Sequence, residues 1–206
     1  MIGIFGGTFD PIHYGHLRSA LEVKEVFNLT EVRFIPSARP PHRAQPLVSA
    51  DMRLKMLELA IHNQPGFVAD GRELQRQGPS YMVDTLQSLR QDFTGQSLLL
   101  FMGGDAFNNL ATWHRWQDLF NYAHIVVLTR PGFVTQTLDG FLASRLSTSI
   151  EALAGHVAGA LFFQPVTPLD ISATVIRQLV AAGRNPRFLL PDGVIAAIEH
   201  NQLYKI

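Results

Sequence analysis

Residues 6–16 read Gly6-Gly7-Thr8-Phe9-Asp10-Pro11-Ile12-His13-Tyr14-Gly15-His16, and the fold prediction starts from this stretch. The apolar run before it, residues 1–5, predicts a buried strand, and residues 17–27 after it predict a helix with one apolar side. The stretch is therefore a strand-to-helix turn that contains two glycines, a hydroxyl group and two histidines.

This turn carries the donors that an anion requires. Gly6 and Gly7 permit a positive φ or a close approach of the backbone to a ligand, and the N–H groups of a helix N-terminus favour negative charge. His13 and His16 occupy neighbouring positions of one helical turn, so both can donate to phosphate oxygens from the same side. Gly-Gly turns are common and a single histidine is usually structural, but the two features together favour a phosphate site.

Segments typical of strands and helices alternate along the rest of the chain. Strands are predicted at 1–5, 31–36, 67–69, 97–102, 124–128 and 160–164, and helices at 17–27, 50–61, 82–90, 113–120, 138–154, from 170 onward and at 191–200. This alternation predicts an α/β fold with a doubly wound parallel sheet. We expect a single domain over residues 1–206, with the C-terminal helical part, about 170–206, packed on it.

Composition excludes several classes of protein and site. The chain of 206 residues has a formal net charge of +0, so neither a nucleic acid polymer nor a membrane is an expected partner. With 0 cysteines, disulfides, thiol catalysis and cysteine-based zinc sites are excluded. No apolar run approaches the ~20 residues of a membrane span, and no leader pattern is evident, so we expect a cytoplasmic protein. Its oligomeric state stays open, a homo-oligomer included.

Polar clusters follow five of the predicted strands, at residues 6–16, 38–43, 103–105, 130–132 and 170–177. Ligands of doubly wound sheets bind beyond the carboxyl ends of the strands. Turn residues are expected at these ends in any such protein, but so many phosphate-type donors are not. The clusters therefore predict one shared nucleotide site.

Two of these clusters resemble a known superfamily. The turn at 6–16 resembles the (H/T)xGH signature of the nucleotidyltransferases, whose histidines bind ATP phosphates and stabilise the transition state of nucleotidyl transfer. Residues 171–177, Ile-Ser-Ala-Thr-Val-Ile-Arg, resemble the ISSTxIR signature of the same superfamily, with Ala173 in place of serine.

Three further segments resemble one branch, the bacterial nicotinate mononucleotide adenylyltransferases. Residues 39–43, Arg-Pro-Pro-His-Arg, resemble a KPPHK loop with both lysines replaced by arginine, and residues 80–86 resemble an SYTxDTL segment. Gly104-Asp105 followed by Trp113 resembles a GxD…W segment. The resemblance extends from residue 3 to residue 204.

The resemblance implies a Rossmann-like nucleotidyltransferase fold and an enzyme that transfers the adenylyl group of ATP to nicotinate mononucleotide, giving nicotinate adenine dinucleotide and pyrophosphate in NAD biosynthesis. It implies catalytic roles for His16, His13 and Arg177. It implies ATP contacts for Gly6, Gly7, Thr8, Phe9, His13, His16, Gly104, Asp105, Ser172, Thr174 and Arg177. It implies mononucleotide contacts for Arg43, Thr85, Trp113, His114 and Arg130.

Mg²⁺ is the expected cofactor. We expect it to bridge ATP oxygens with mainly water ligands, because no dense set of carboxylates is visible in the sequence. No residue of the chain is therefore assigned as a metal ligand.

Several alternatives stay open at this point. A sister transferase could use another phosphate acceptor such as phosphopantetheine, although Trp113 and the segment around Thr85 argue against it. A nucleotide-binding regulator could keep the fold without turnover, although the retention of both histidines and Arg177 argues against that. Trp113 can stack on a pyridinium ring or belong to the core. Because Trp116 follows three residues later, we expect one of the two to face the site.

Overall fold

The computed structural model describes residues 1–40, 46–134 and 137–205, and a six-stranded sheet lies at its centre. The strands are β1 (Ile2–Gly7), β2 (Glu31–Pro36), β3 (Phe67–Ala69), β4 (Leu98–Gly103), β5 (His124–Thr129) and β6 (Leu161–Pro165). Their order in the sheet is β3-β2-β1-β4-β5-β6 and every adjacent pair is parallel. The doubly wound parallel sheet is therefore confirmed, and the strand order reverses beside β1, which is where such sheets bind ligands.

Helices connect the strands and cover both faces of the sheet. They are α1 (Tyr14–Val26), α2 (Ala50–Ile61), α3 (Arg72–Gln75), α4 (Met82–Asp92), α5 (Gly104–Asn108), α6 (Leu119–Tyr122), α7 (Gly140–Ala143), α8 (Ile150–Ala154), α9 (Ala173–Ala181) and α10 (Asp192–His200). The predicted bounds of β2, β3 and α2 are confirmed, and Ser49 caps α2 by accepting the N–H of Met52. The short helix α3 was not predicted.

Two predicted helices are interrupted. In the 113–120 segment Arg115 has a left-handed φ of 50°, which a continuous helix does not allow. A short 3₁₀ turn, Trp116–Asp118, follows it and precedes α6. The prediction for 138–154 was wrong between α7 and α8, where Leu146 forms a parallel bridge with Leu161 of β6. Pairing with the sheet edge takes the backbone groups that a continuous helix would use.

The sheet separates two apolar clusters. One contains Phe5, Phe101 and residues of α1, α2, α9 and α10, so the C-terminal part packs on the same core as β1. The other contains Ile4, Leu100 and residues of α4 and α6. Residues 98–102 of β4 are buried throughout, as predicted for a central parallel strand.

Of the two roles predicted for Gly6 and Gly7, the positive φ is not observed. Strand β1 continues through Gly6 and Gly7, and the positive φ of the turn, 49°, belongs to Phe9. A Cβ on Gly6 would overlap the methyl group of Met82, and one on Gly7 would lie 2.9 Å from the Phe9 ring. These glycines therefore permit close packing against β1 instead of supplying left-handed backbone.

Within the described ranges, none of the helices has both the length and the apolar character needed to span a membrane.

Candidate active site

The histidine pair lies where β1 meets α1. His13 is the N-cap residue of α1, and its carbonyl oxygen accepts the N–H of His16 at 3.0 Å. The two imidazole rings stack with their centroids 3.7 Å apart, and the Phe9 ring meets His16 edge-on at 5.2 Å. Both Nδ1 atoms are buried and have no hydrogen-bond partner in the part of the chain that the structure describes. Both rings therefore have unused hydrogen-bonding capacity at the turn of residues 6–16, which is named the phosphate turn below after its predicted role.

Both imidazoles are neutral at pH 7. Burial, and secondarily the positive charge of Arg130, lowers the pKa of His13 to about 4. Burial, followed by the charges of His13 and Arg130, lowers the pKa of His16 well below its usual value. A neutral imidazole has one N–H donor. Each ring can thus donate to an anion without first carrying a positive charge of its own.

Arg177 joins the phosphate turn to helix α9. Its Nη1 donates to the carbonyl oxygen of Asp10 at 2.7 Å, and its Nη2 donates to Thr174 Oγ1 at 3.3 Å. Ser172 caps α9 by accepting the N–H of Val175 at 3.2 Å. The structure therefore brings together two predicted clusters, 6–16 and 170–177, that are distant in the sequence.

Gly15 makes that approach close. A Cβ at this position would lie 3.0 Å from the His13 ring and 3.3 Å from the carbonyl oxygen of Ile171. Since either contact is tighter than ordinary van der Waals distance, the small residue lets α1 lie against the start of the α9 region.

Asp10 and Tyr204 were missed as site-building residues. Asp10 is buried in the phosphate turn, where Oδ1 accepts the hydroxyl of Tyr204 at 2.6 Å and Oδ2 accepts the N–H of Leu47 at 3.0 Å. Burial and this bond to Asp10 raise the pKa of Tyr204. A signal was present in the sequence, since Asp10 lies inside the motif, but its partners come from distant segments.

Arg53 was also missed. It lies on α2 with only 1% of its surface exposed, in line with the buried residues Met56 and Leu57. A charged residue three and four positions before buried apolar residues of the same helix was the available signal. Its guanidinium donates to three carbonyl oxygens, those of Thr8, Ser37 and Val48.

The residues predicted to contact the mononucleotide include His114, which is part of a stacked aromatic pair. Tyr81 and His114 stack with their ring centroids 4.2 Å apart. Trp113, beside His114, is partly buried on the core of the same face of the sheet. Trp116 packs edge-on against Phe141 at 5.2 Å. Trp116 is thus the tryptophan with an aromatic partner among the described residues, which leaves Trp113 as the candidate for stacking on a ligand.

Thr85 differs from its expected role. It is 0% exposed, and its hydroxyl donates to Glu73 Oε1 at 2.6 Å while accepting from Arg76 Nη2 at 3.0 Å. The hydroxyl has one proton, which it donates to Glu73 in this hydrogen bond. In this structure Thr85 therefore offers no free side-chain donor, and it supports the neighbouring backbone from inside helix α4.

Gly104, Asp105 and Arg130 lie at the same edge of the sheet. Gly104 and Asp105 open α5 directly after β4, and a Cβ on Gly104 would overlap the Phe133 ring. Arg130 is exposed just beyond β5 and lies close enough to His13 to affect its pKa. Arg43 is one of residues 41–45, which lie outside the described residues.

Proteins usually bind Mg²⁺ through one or two carboxylates together with water and phosphate oxygens. Over residues 1–40, 46–134 and 137–205, no three His, Asp or Glu side chains converge as a set that could hold a metal ion. A magnesium ion held by several protein carboxylates therefore does not fit the described residues, whereas one held by phosphate oxygens and water needs no such set.

The chain is similar to known proteins over its whole length. Residues 4–179 match the family described as cytidylyltransferase-like. A protein of Methylococcus capsulatus named "Probable nicotinate-nucleotide adenylyltransferase" is 48% identical, with 99% of each chain covered. One of the same name from Pseudomonas aeruginosa is 49% identical, with 99% of this chain and 97% of the relative covered.

Solved structures have the same fold. A Plasmodium falciparum nicotinic acid mononucleotide adenylyltransferase complexed with NaAD superposes with a TM-score of 0.75 at 15% identity, covering 98% of this chain and 96% of the other. A putative nicotinate-nucleotide adenylyltransferase from Vibrio parahaemolyticus superposes with a TM-score of 0.67 at 13% identity, covering 99% and 94%. With the full-length identity to the curated relatives, the motif-based resemblance is confirmed: the chain belongs to the cytidylyltransferase-like family, among the nicotinate-nucleotide adenylyltransferases.

Proposed function

We propose that this protein transfers the adenylyl group of ATP to nicotinate mononucleotide, with nicotinate adenine dinucleotide and pyrophosphate as products. The observation that carries the proposal is that one turn at the carboxyl end of β1 contains the stacked His13–His16 pair and is also bound by Arg177, through the carbonyl oxygen of Asp10. Identity of 48–49% to relatives of that name over essentially the whole chain supports the choice of substrates. Because both substrates are intracellular metabolites, we place the reaction in the cytoplasm.

The chemistry needs positioning more than it needs a base. An oxygen of the mononucleotide phosphate attacks the α-phosphorus of ATP in line, and the bond from that phosphorus to the oxygen bridging to the β-phosphate breaks. The nucleophile is already an anion, so no covalent intermediate and no strong base are required. The protein holds two anions together and offsets their repulsion with donors and positive charge.

The ATP half of the site is assigned to the turn, α5 and α9. His16 donates to an α-phosphoryl oxygen as charge develops in the transition state, and His13 donates to the neighbouring phosphate. The N-terminus of α1 adds its positive partial charge. Gly6, Gly7, Thr8 and Phe9 contact ATP. Gly104 and Asp105 hold the ribose hydroxyls. The outer phosphates are bound by Ser172, Thr174 and Arg177.

The mononucleotide half is assigned to the aromatic residues and the loops beside them. Trp113 stacks on the pyridine ring, and backbone N–H groups at His114 and near Thr85 face its carboxylate. Arg130 and Arg43 take the mononucleotide phosphate. Mg²⁺ bound with ATP would neutralise part of the triphosphate charge, and no side chain is assigned to hold it.

The decisive experiment is a pyrophosphate-release assay with Mg-ATP and three acceptors. We expect nicotinate mononucleotide to give the highest kcat/KM, roughly 10- to 100-fold above nicotinamide mononucleotide, because the carboxamide NH₂ leaves a donor of the pocket unpaired. Equal kcat/KM values for these two acceptors would contradict the donor-lined pocket and leave the proposal of adenylyl transfer unaffected. A preference for phosphopantetheine would identify a sister transferase, and ATP binding with no turnover on any acceptor would identify a regulator.

A further inference from the structure

The guanidinium of Arg53 binds three separate segments of the chain at once. Its Nη1 donates to the carbonyl oxygen of Thr8 at 2.6 Å, its Nη2 to that of Ser37 at 2.7 Å, and its Nε to that of Val48 at 3.1 Å. The side chain is 1% exposed. All of its nitrogens are therefore used to hold backbone, and none is directed to solvent.

A buried charge held in this way has a cost. None of the ion pairs among the described residues includes Arg53, and taking a charged group out of water is unfavourable unless hydrogen bonds compensate. Three carbonyl oxygens in different directions require a planar fork of N–H donors, which arginine has and lysine lacks. The arrangement thus depends on the geometry of the guanidinium as well as on its charge.

Two of the three carbonyls, those of Thr8 and Ser37, connect to the two halves of the proposed site, and the third, that of Val48, lies just before α2. Thr8 lies in the phosphate turn, and the N–H of Ser37 donates to the carbonyl of Gly7 at 2.8 Å. Directly after Ser37, the N–H groups of Ala38 and Arg39 both donate to Ser80 Oγ at 3.0 Å.

Ser80 precedes Tyr81, which stacks on His114. A continuous set of contacts therefore connects the phosphate turn, through Arg53 and the residues after β2, to the stacked pair Tyr81 and His114.

We propose that Arg53 is a positioning residue that fixes the phosphate turn relative to the mononucleotide half of the site. It contacts no substrate; it holds the two segments at the separation that in-line attack requires. The inference rests on the proposed function, because it assigns ATP to one segment and the mononucleotide to the other.

Arg90 is a matched control for this role. Its guanidinium also binds carbonyl oxygens: two of nearby residues, Phe93 and Gln96, and two from distant segments, Tyr122 and Val157. Gln96 and Tyr122 precede β4 and β5, so Arg90 lies at the amino ends of the strands, at the edge of the sheet away from the site. It has the same chemistry and a comparable structural role, and no connection to either proposed substrate.

The experiment compares Arg53→Lys and Arg53→Met with Arg90→Lys and Arg90→Met. Melting temperature, kcat and both KM values are measured for each variant at a temperature where circular dichroism shows it folded. We expect all four to melt earlier than the wild type. We expect kcat to fall on the order of 100-fold only in the Arg53 pair, with KM for ATP changed by less than about threefold, because misplacement of reacting groups by about 1 Å costs that much rate. Lysine should not rescue, because the fork and not the charge alone is required.

Two kinetic results would overturn the inference: an Arg53→Lys enzyme with kcat within about threefold of wild type, or an equal loss of kcat in the Arg90 variants. If the wild type transfers no adenylyl group, the proposed function fails by itself.

A measurement on the wild-type protein tests the inference even if the wild type transfers no adenylyl group or if the variants do not fold. The side-chain N–H signals of Arg53 in an NMR spectrum should shift on addition of a non-hydrolysable ATP analogue alone, while those of Arg90 stay in place. No shift at Arg53 with either the analogue or the mononucleotide would overturn the inference.

Discussion

The hydroxyl of Tyr204 donates a 2.6 Å hydrogen bond to the carboxylate of Asp10, 194 positions earlier in the chain. The carbonyl oxygen of Asp10 in turn accepts the guanidinium of Arg177. The phosphate turn is therefore held from two sides by the C-terminal part of the chain, once through a side chain and once through the backbone.

Tyr204→Phe should lower the free energy of unfolding by about 1.5–3 kcal/mol, the range for a buried hydrogen bond to a charged group. The substitution leaves one oxygen of the buried Asp10 carboxylate without its donor. Urea unfolding at pH 7 measures the loss. Tyr122→Phe is the control, because the Tyr122 hydroxyl makes no hydrogen bond to any other described residue. A Tyr204→Phe protein as stable as the control would show that the bond contributes nothing.

His16→Ala should lower kcat by roughly 100-fold or more with a much smaller loss of ATP affinity, because a donor that acts on developing charge is worth about 3–4 kcal/mol in the transition state. Steady-state kinetics and direct measurement of ATP binding separate the two effects. His200→Ala, on the exposed end of α10, should leave both unchanged. Near wild-type kcat in the His16 variant would exclude the proposed role.

Trp113→Ala should raise KM for the pyridine mononucleotide and leave ATP binding almost unchanged, since stacking on an aromatic ring is worth about 1–3 kcal/mol per base. Trp116→Ala, which removes the contact with Phe141, should instead lower the melting temperature without a selective change in KM. If the Trp113 variant loses stability and keeps its KM, Trp113 is a core residue.

Protein stability should fall as the pH is lowered from 7 to 5, in part because of His13. Its pKa is about 4 in the folded protein and 6.5 in the reference state, so the unfolded chain binds more protons between these values. The sign is therefore destabilisation on acidification, and it amounts to about 2 kcal/mol for His13 between pH 7 and pH 5. His16 acts in the same direction.

His13→Gln should remove that part of the pH dependence, as measured by urea unfolding at the two pH values. His200→Gln should keep the wild-type pH dependence, since solvent surrounds this exposed side chain in both states. If the His13 variant loses as much stability on acidification as the wild type, the histidine is not desolvated in the folded protein.

The sequence by itself determined the elements whose signal is local. Alternating apolar runs and turns predicted all six strands of the sheet, because burial on both faces produces short apolar segments that need no knowledge of their neighbours. The Ser49 and Ser172 caps are local in the same sense, since each serine accepts the N–H of the residue three positions later. Strand polarity then predicted that the polar clusters after five of these strands share one edge of the sheet.

Only the tertiary structure decided which side chains serve the ligand and which serve the protein. The Thr85 hydroxyl donates to Glu73, Arg53 binds three carbonyls, and Asp10 binds Tyr204. No sequence motif or helical pattern predicts these partners. The pairing of Leu146 with β6 likewise replaced a helix that local pattern favoured. Apart from Val48, which lies five positions before Arg53, each of these partners lies at least 12 positions away. Hydrogen bonds between distant segments are set by how the sheet and its two helical layers pack, which no local spacing in the sequence encodes.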